Sequence, residues 1–212
     1  ALNEEYNQQP WYDWPEALRK HESAACKRAL SQLEEVVAYR LFEQYQFFNQ
    51  WQQFRTYANN QGIRIIGDLP IYVALDSADV WANQSLFQLD AKSCQPTHVA
   101  GVPPDYFSAT GQRWGNPLYR WDTTDPSVRA QLWDWWEQRL QLNFTLIDTL
   151  RIDHFRGFES YWAVPAREKT ALKGQWLPGP GQPFFEEINR RLHGTSIIAE
   201  DLGFITPEVE TL

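Results

Sequence analysis

Arg151-Ile152-Asp153-His154-Phe155-Arg156-Gly157 is the stretch of this chain densest in groups that can do chemistry. If the run is a strand, alternation puts Arg151 and Asp153 on one face and Ile152 on the other. A guanidinium beside a carboxylate favours its charged form, which is what a carboxylate nucleophile requires. The same two residues would also serve as a structural ion pair at a strand end. Glu200 follows Ile197-Ile198-Ala199, so apolar surroundings and a nearby carboxylate are expected to favour its protonated form, the state of a general acid. Two carboxylates tuned in opposite directions are the minimum equipment for breaking a glycosidic bond. Asp201 is expected to face the other way as a cap or structural partner, and a capping role for Glu200 itself stays open.

These residues sit at the ends of short apolar runs that each follow a helical pattern. The run over 63–70 ends at Asp68-Leu69-Pro70, that over 145–152 leads to Asp153, and that over 196–200 ends on Glu200. Helices are expected before them over 23–61, 127–141 and 184–192, a βα rhythm that reads as a parallel sheet. In an α/β barrel the C-terminal strand ends form the active face. Acidic residues also finish ordinary strands as turn formers, so no one of the three carries the reading alone. Residues 1–14 read as loop, with Pro15 opening a short helix. The helical stretch 23–61, divided near Ser31, carries Leu30, Leu33, Val37, Leu41, Tyr45, Phe48, Trp51, Phe54 and Tyr57 at three- and four-residue spacing, a face expected in the core. Gln61-Gly62 closes it, and Thr206-Pro207 opens a last helix with Thr206 as the cap.

Residues 68–125 show little helical periodicity and many turn residues, and a connection that long is usually functional. Trp81, Phe87, Tyr106, Phe107, Trp114, Tyr119 and Trp121 crowd it beside Asp76, Asp105, Gln112, Asn116 and Asp122. Aromatic faces interleaved with amides and carboxylates suit sugars, whose rings have apolar C–H faces edged by hydroxyls. Most of these rings are nonetheless expected to pack the region against the sheet.

Composition narrows the class. The net charge of −8 repels phosphate backbones, which argues against a nucleic-acid partner. No apolar run has the length of a membrane span, and the acidic opening Ala1-Leu2-Asn3-Glu4-Glu5 is unlike a signal peptide. Cys26 and Cys94 make no disulfide framework and fit a reducing cytoplasm. His21, His98, His154 and His193 fall in no metal-ligand spacing, and no phosphate-binding or nucleophile-elbow motif occurs, so neither metal nor cofactor is expected. His154, the one histidine inside a motif, reads as a substrate hydrogen-bonding group or as a residue tied to the wall. The chain has no methionine, which reads as an interior segment of a longer protein.

Several stretches resemble a known family, the amylomaltases or 4-α-glucanotransferases (glycoside hydrolase family 77). They are Gly67 to Val73, Asp76 to Asn83, the run GVPPDYFSATGQRWGNP over 101–117, Arg151 to Gly157, and Ala199-Glu200-Asp201-Leu202-Gly203. The run over 101–117 is the most specific, since ordinary α-amylases lack it. The resemblance implies an α/β fold, a partial (β/α)8 TIM barrel of the amylase type. Its long insertion over 68–125 would be the active-site region, and 1–212 would be a single catalytic segment incomplete at both ends. It implies a retaining transferase acting on maltooligosaccharides and α-1,4-glucans in the cytoplasm, or in a plastid if the source is a plant. Asp153 would be the nucleophile and Glu200 the acid and base. Arg151 would position Asp153, and Asp68 would line the donor pocket. His154, Asp105, Tyr106, Phe107, Trp114 and Asn116 would contact sugars. The family's third carboxylate, an Asp after a His on a later strand, does not occur before Leu212. An α-glucan hydrolase, a starch-binding module and an inactive fragment of the transferase are the other readings.

Overall fold

The computed structural model describes residues 1–192, 194–202 and 206–212. Its elements run α1 (Leu2–Glu5), α2 (Glu16–Arg19), α3 (Ser23–Gln32), α4 (Glu34–Asn60), β1 (Ile66–Pro70), α5 (Ala78–Ala82), β2 (His98–Val102) and β3 (Gln112–Pro117). They continue with α6 (Pro126–Leu146), β4 (Thr149–Asp153), β5 (Ser160–Pro165), β6 (Gln175–Pro178), α7 (Gln182–Arg191), β7 (Ile197–Ala199) and α8 (Pro207–Thr211). The protein is α/β, with a parallel sheet in the order β1-β4-β7.

Local chemistry explains most element ends. Asp125 caps α6 by accepting from the N–H groups of Ser127 (2.8 Å) and Val128 (3.4 Å), with Pro126 at the first turn. The long helical stretch divides at Leu33, close to the break expected near Ser31. Its second half ends where Gly62 takes φ +76 and the Ile63 N–H reaches back to the Ala58 carbonyl at 3.0 Å, a turn that favours glycine. Thr206 stands at the N-cap of α8 with Pro207 in the first turn, as expected, although its side chain makes no capping bond. One expectation fails here. The stretch 1–14 holds α1 and a 3-10 turn, because Trp11 is buried and its indole N–H donates to the Leu75 carbonyl at 2.7 Å.

A second, antiparallel sheet in the order β3-β2-β5-β6 takes two of its strands, β2 and β3, from the turn-rich region 68–125 and the other two from the chain after β4. In β2 and β3 the residues Gly101, Gly115, Asn116 and Pro117 break any alternation, so neither strand is legible from spacing. Between the sheets and helices lies an aromatic core. Trp136, Tyr119, Phe158 and Phe184 are fully or almost fully buried. Val128, Leu132, Trp135 and Leu140 complete the inner face of α6.

The apolar face of α4 does not join that core. Leu41, Tyr45, Phe48, Phe54 and Tyr57 are exposed, as is Leu30 on α3, and Ala58 is the buried residue of α4. Phe42, Phe47 and Tyr39, exposed as well, spread aromatics round several sides of the helix, so spacing alone could not say which side faces protein. Polar bonds hold α4 instead. The Trp51 indole donates to the Leu146 carbonyl at 2.6 Å, and Arg55 donates to Asp148 Oδ1 at 2.7 Å and to the Thr145 carbonyl at 2.9 Å. Asp148 Oδ2 accepts from Asn59 and from the Ile65 backbone, both at 2.8 Å. One carboxylate thus joins the end of α4 to the starts of β1 and β4.

The Ile65 N–H, the Asn59 amide and Arg55 together hold the Asp148 pKa down at about 2. A depressed carboxylate stabilises the fold above its unfolded pKa of about 3.9, and that contribution fades as pH falls through the folded value. Replacing Asp148 with Ala in the full chain should cost about 2–4 kcal/mol at neutral pH in urea denaturation. The gap between wild type and variant should narrow as the pH falls from about 4 to about 2.

Candidate active site

The ladder between β1 and β4 sets the site. Asp68 pairs with Arg151 and Pro70 with Asp153. Arg151 and Asp153 share a face of β4, so one guanidinium spans two carboxylates. Its Nη1 donates to Asp68 Oδ1 at 2.6 Å and its Nη2 to Asp153 Oδ1 at 3.1 Å. The bond to Asp68 is the main reason the Arg151 pKa lies above its ordinary value. Arg139 fixes the chain just beyond β1, donating to the Pro70 carbonyl at 2.7 Å and the Ile71 carbonyl at 3.1 Å.

Glu200 arrives from β7. Ala199 pairs with Ile152, and the Glu200 N–H continues the ladder to the Ile152 carbonyl at 3.1 Å. The chain after Asp153 turns sharply, with His154 at φ 54 and ψ 45, a left-handed conformation uncommon outside glycine. That turn aims the His154 backbone N–H at Glu200 Oε2, 3.0 Å away, while the Leu202 N–H reaches Oε1 at 2.5 Å. Gly157 keeps the turn tight, since a Cβ there would come within 2.9 Å of Ile71 and 3.2 Å of the His154 ring. The apolar surroundings expected for Glu200 are not present, because Ile198 and Ala199 are exposed. Backbone donors orient this carboxyl instead.

A cavity of about 610 Å³ opens over these groups, lined by Asp153, His154 and Glu200 on one side and by Asp105, Tyr106, Phe107 and Trp114 on another. The aromatics of the 68–125 region divide cleanly. Phe87 and Tyr119 are buried, and Trp81 and Trp121 pack against the core. Tyr106 and Phe107 are 86% and 74% exposed, and Trp114 is 39% exposed at the cavity wall. Asp105 Oδ1 accepts from the N–H groups of Phe107 (2.9 Å) and Ser108 (2.8 Å), shaping the loop that presents both rings. Asp68 and Arg151, paired with each other, are not on the cavity wall. Asn116 is also away from it, its amide donating to the Val73 carbonyl at 2.9 Å. Two wall residues, Arg156 and Trp176, were not singled out from the sequence. Trp176 lies in Lys173-Gly174-Gln175-Trp176, where a lone indole in a polar stretch was the available signal.

His154 is the most perturbed ionisable group on the wall. Burial, reinforced by the positive charge of Arg156 and opposed by Asp153, lowers its pKa to about 4. Its Nε2 is buried with no hydrogen-bond partner among the described residues. The Trp114 ring meets it edge-on at 4.8 Å. A neutral imidazole suits hydrogen bonding better than proton transfer at neutral pH. Among the described residues no group of three or more His, Cys, Asp and Glu side chains could hold a metal ion, and no helix is long and apolar enough to cross a membrane. His193 and Gly203 lie outside the described residues.

Carboxylates at the C-terminal ends of parallel strands, facing an aromatic-walled cavity, place the protein among α/β proteins with an enzyme-like cleft at the strand ends. The family model described as 4-alpha-glucanotransferase matches residues 1–212, and the chain belongs to that family. It is 50% identical to the 4-alpha-glucanotransferase of Synechocystis over 213 residues, covering 100% of this chain and 41% of the relative. The 4-alpha-glucanotransferase of Thermus thermophilus is likewise 50% identical over 212 residues, with the same 100% and 41% coverage. The amylomaltase of Streptococcus agalactiae, solved in complex with acarbose, superposes with a TM-score of 0.91 at 42% identity, covering 100% of this chain and 42% of its own. The chain therefore spans about two fifths of the length of the curated relatives it matches.

The His154 ring should titrate with a midpoint near 4 in a proton NMR titration of the full chain. Unfolded histidine titrates near 6.5, so the neutral ring favours the fold above that pH, and its contribution is lost as pH falls from about 6.5 through about 4. A midpoint near 6.5 would show that the ring is solvated and contradict the packing against Trp114.

Proposed function

We propose that this chain carries the catalytic centre of a retaining 4-α-glucanotransferase, and that its parallel sheet is part of a (β/α)8 barrel of the amylase type. The cavity shared by Asp153, Glu200, Tyr106, Phe107 and Trp114 carries the reading. Maltooligosaccharides and α-1,4-glucans are the substrates, in line with acarbose bound to the Streptococcus agalactiae relative. Asp153, oriented by Arg151, attacks the anomeric carbon of the donor while Glu200 gives its proton to the departing glycosidic oxygen. The bond to the leaving sugar breaks and a glucosyl–Asp153 ester forms. The acceptor 4-hydroxyl then gives its proton to Glu200 as its oxygen attacks the same carbon, releasing Asp153. Bound sugar rings, rather than Ile198 and Ala199, remove water from Glu200 in this reading, and His154 lines the cavity where they bind.

Water and a sugar hydroxyl compete for the glucosyl-enzyme. Transfer prevails only if the site holds an acceptor at high effective concentration and excludes water. Tyr106 and Phe107, their rings tilted against one another with centroids 4.0 Å apart, are placed for both tasks. Hydrolysis is the second reading, since the carboxylate pair serves it equally well.

In the full chain, maltotriose should yield glucose and a ladder of longer glucans with little gain in total reducing ends. Reducing ends rising in step with maltotriose consumption would replace the transferase with a hydrolase. Asp153→Asn should abolish the covalent intermediate seen by mass spectrometry while sugar binding persists. Glu200→Gln should slow substrates with poor leaving groups about 10²–10⁴-fold and activated ones far less. Equal losses on both would remove Glu200 from the acid role.

A further inference from the structure

Trp176 belongs to none of the stretches that carry the family resemblance, yet its indole is 41% exposed on the cavity wall. It sits on β6, one edge of the antiparallel sheet, whereas Trp114 sits on β3, the other edge. Three strand spacings of about 4.8 Å separate those edges, about 14 Å in all. The two indoles also have different neighbours. Trp114 touches His154, the residue after Asp153, at 4.8 Å between ring centroids, so it serves the sugar at the reacting carboxylate. Trp176 lies against Arg156, whose guanidinium carbon is 4.1 Å from the ring centroid.

The Trp176 ring is held, not loose. Trp162 meets it edge-on at 5.3 Å and 67°, and Trp162 is itself pinned by an indole N–H bond to the Ala171 carbonyl at 2.9 Å. Gly174 leaves room for this, since a Cβ there would fall 2.1 Å from Trp162 Nε1. A rigid, partly exposed indole on a cavity wall loses little conformational entropy when a flat apolar face covers it. Arg156, itself buried, packs on one face of the ring, and both residues line the cavity.

We propose that Trp176 is a stacking platform for a sugar ring remote from the bond being broken, and that it sets the preference of the site for long over short α-glucans. The inference rests on the glucan-transferring reading above. A short oligosaccharide held at Asp153 engages Trp114 alone. A longer chain follows the cavity wall from Trp114 to Trp176 and covers both indoles, and the added contact favours its binding.

The test uses Trp176→Ala and Trp176→Phe in the full chain, with kcat/KM and calorimetric Kd measured for maltotriose and maltoheptaose. The Ala variant should lose about 3–10-fold on maltoheptaose, the worth of one aromatic contact, while maltotriose changes little. Trp176→Phe should recover most of the loss and the length preference. Equal losses on both sugars, or none on either, would overturn the proposal, and a Phe variant that stays folded yet shows no length preference would do so too. Thermal midpoints separate misfolding of the Ala variant from loss of a contact. If the unmodified chain makes no glucan ladder, the transferase reading fails, and the length dependence of Kd still decides the role of Trp176.

Discussion

The register between β1 and β4 is the constraint on which the site depends. Slipping one residue would turn every side chain of a strand to its other face and separate Arg151 from both carboxylates. Side chains hold that register from both ends. Below, Asp148 accepts from Arg55, Asn59 and the Ile65 backbone. Above, Arg139 holds the carbonyls of Pro70 and Ile71. Gly67 lets Ile147 close over the middle of β1, where a Cβ would come within 2.5 Å of its Cδ1. With the strands locked, the left-handed turn at His154 does two jobs: its backbone N–H orients Glu200, and its ring lines the cavity.

The aromatics serve two ends by the same physics. Trp136, Tyr119, Phe158 and Phe184 bury large apolar surfaces in a small space and stiffen the platform beneath the site. Trp114, Trp176, Tyr106 and Phe107 keep part of that surface in water, where a flat ligand can cover it. Rigid support and sticky wall are both made of aromatic residues, separated only by position. The second sheet performs the separation, carrying Trp114 and Trp176 on its two edges.

The helix α4 shows how far patterning can be read. Its aromatic positions recur at helical spacing, yet in this fold the helix is anchored by Trp51, Arg55 and Asn59 through hydrogen bonds. Amphipathic spacing records that a surface is apolar. It does not record what lies opposite.

The local elements were legible in the chain itself. The helix expected over 127–141, the strand leading to Asp153 and the turn at Gly62 follow from periodicity and a terminal glycine, which are set by neighbours in sequence. The helix runs on to Leu146, however, and takes in Thr145 and Leu146, which spacing assigns to the strand. The pairing of Arg151 with Asp153 is of the same kind, because strand alternation alone puts them on one face. What spacing could not supply was every relation between distant residues. Asp68 shares the Arg151 fork because two parallel strands chose one register. Glu200 is oriented by the N–H groups of His154 and Leu202 and not by its apolar neighbours. The strands β2, β3, β5 and β6 form from segments with weak local preference because their partners satisfy the backbone. Which indoles line the cavity was decided last, by strand order, a property that no window of sequence contains.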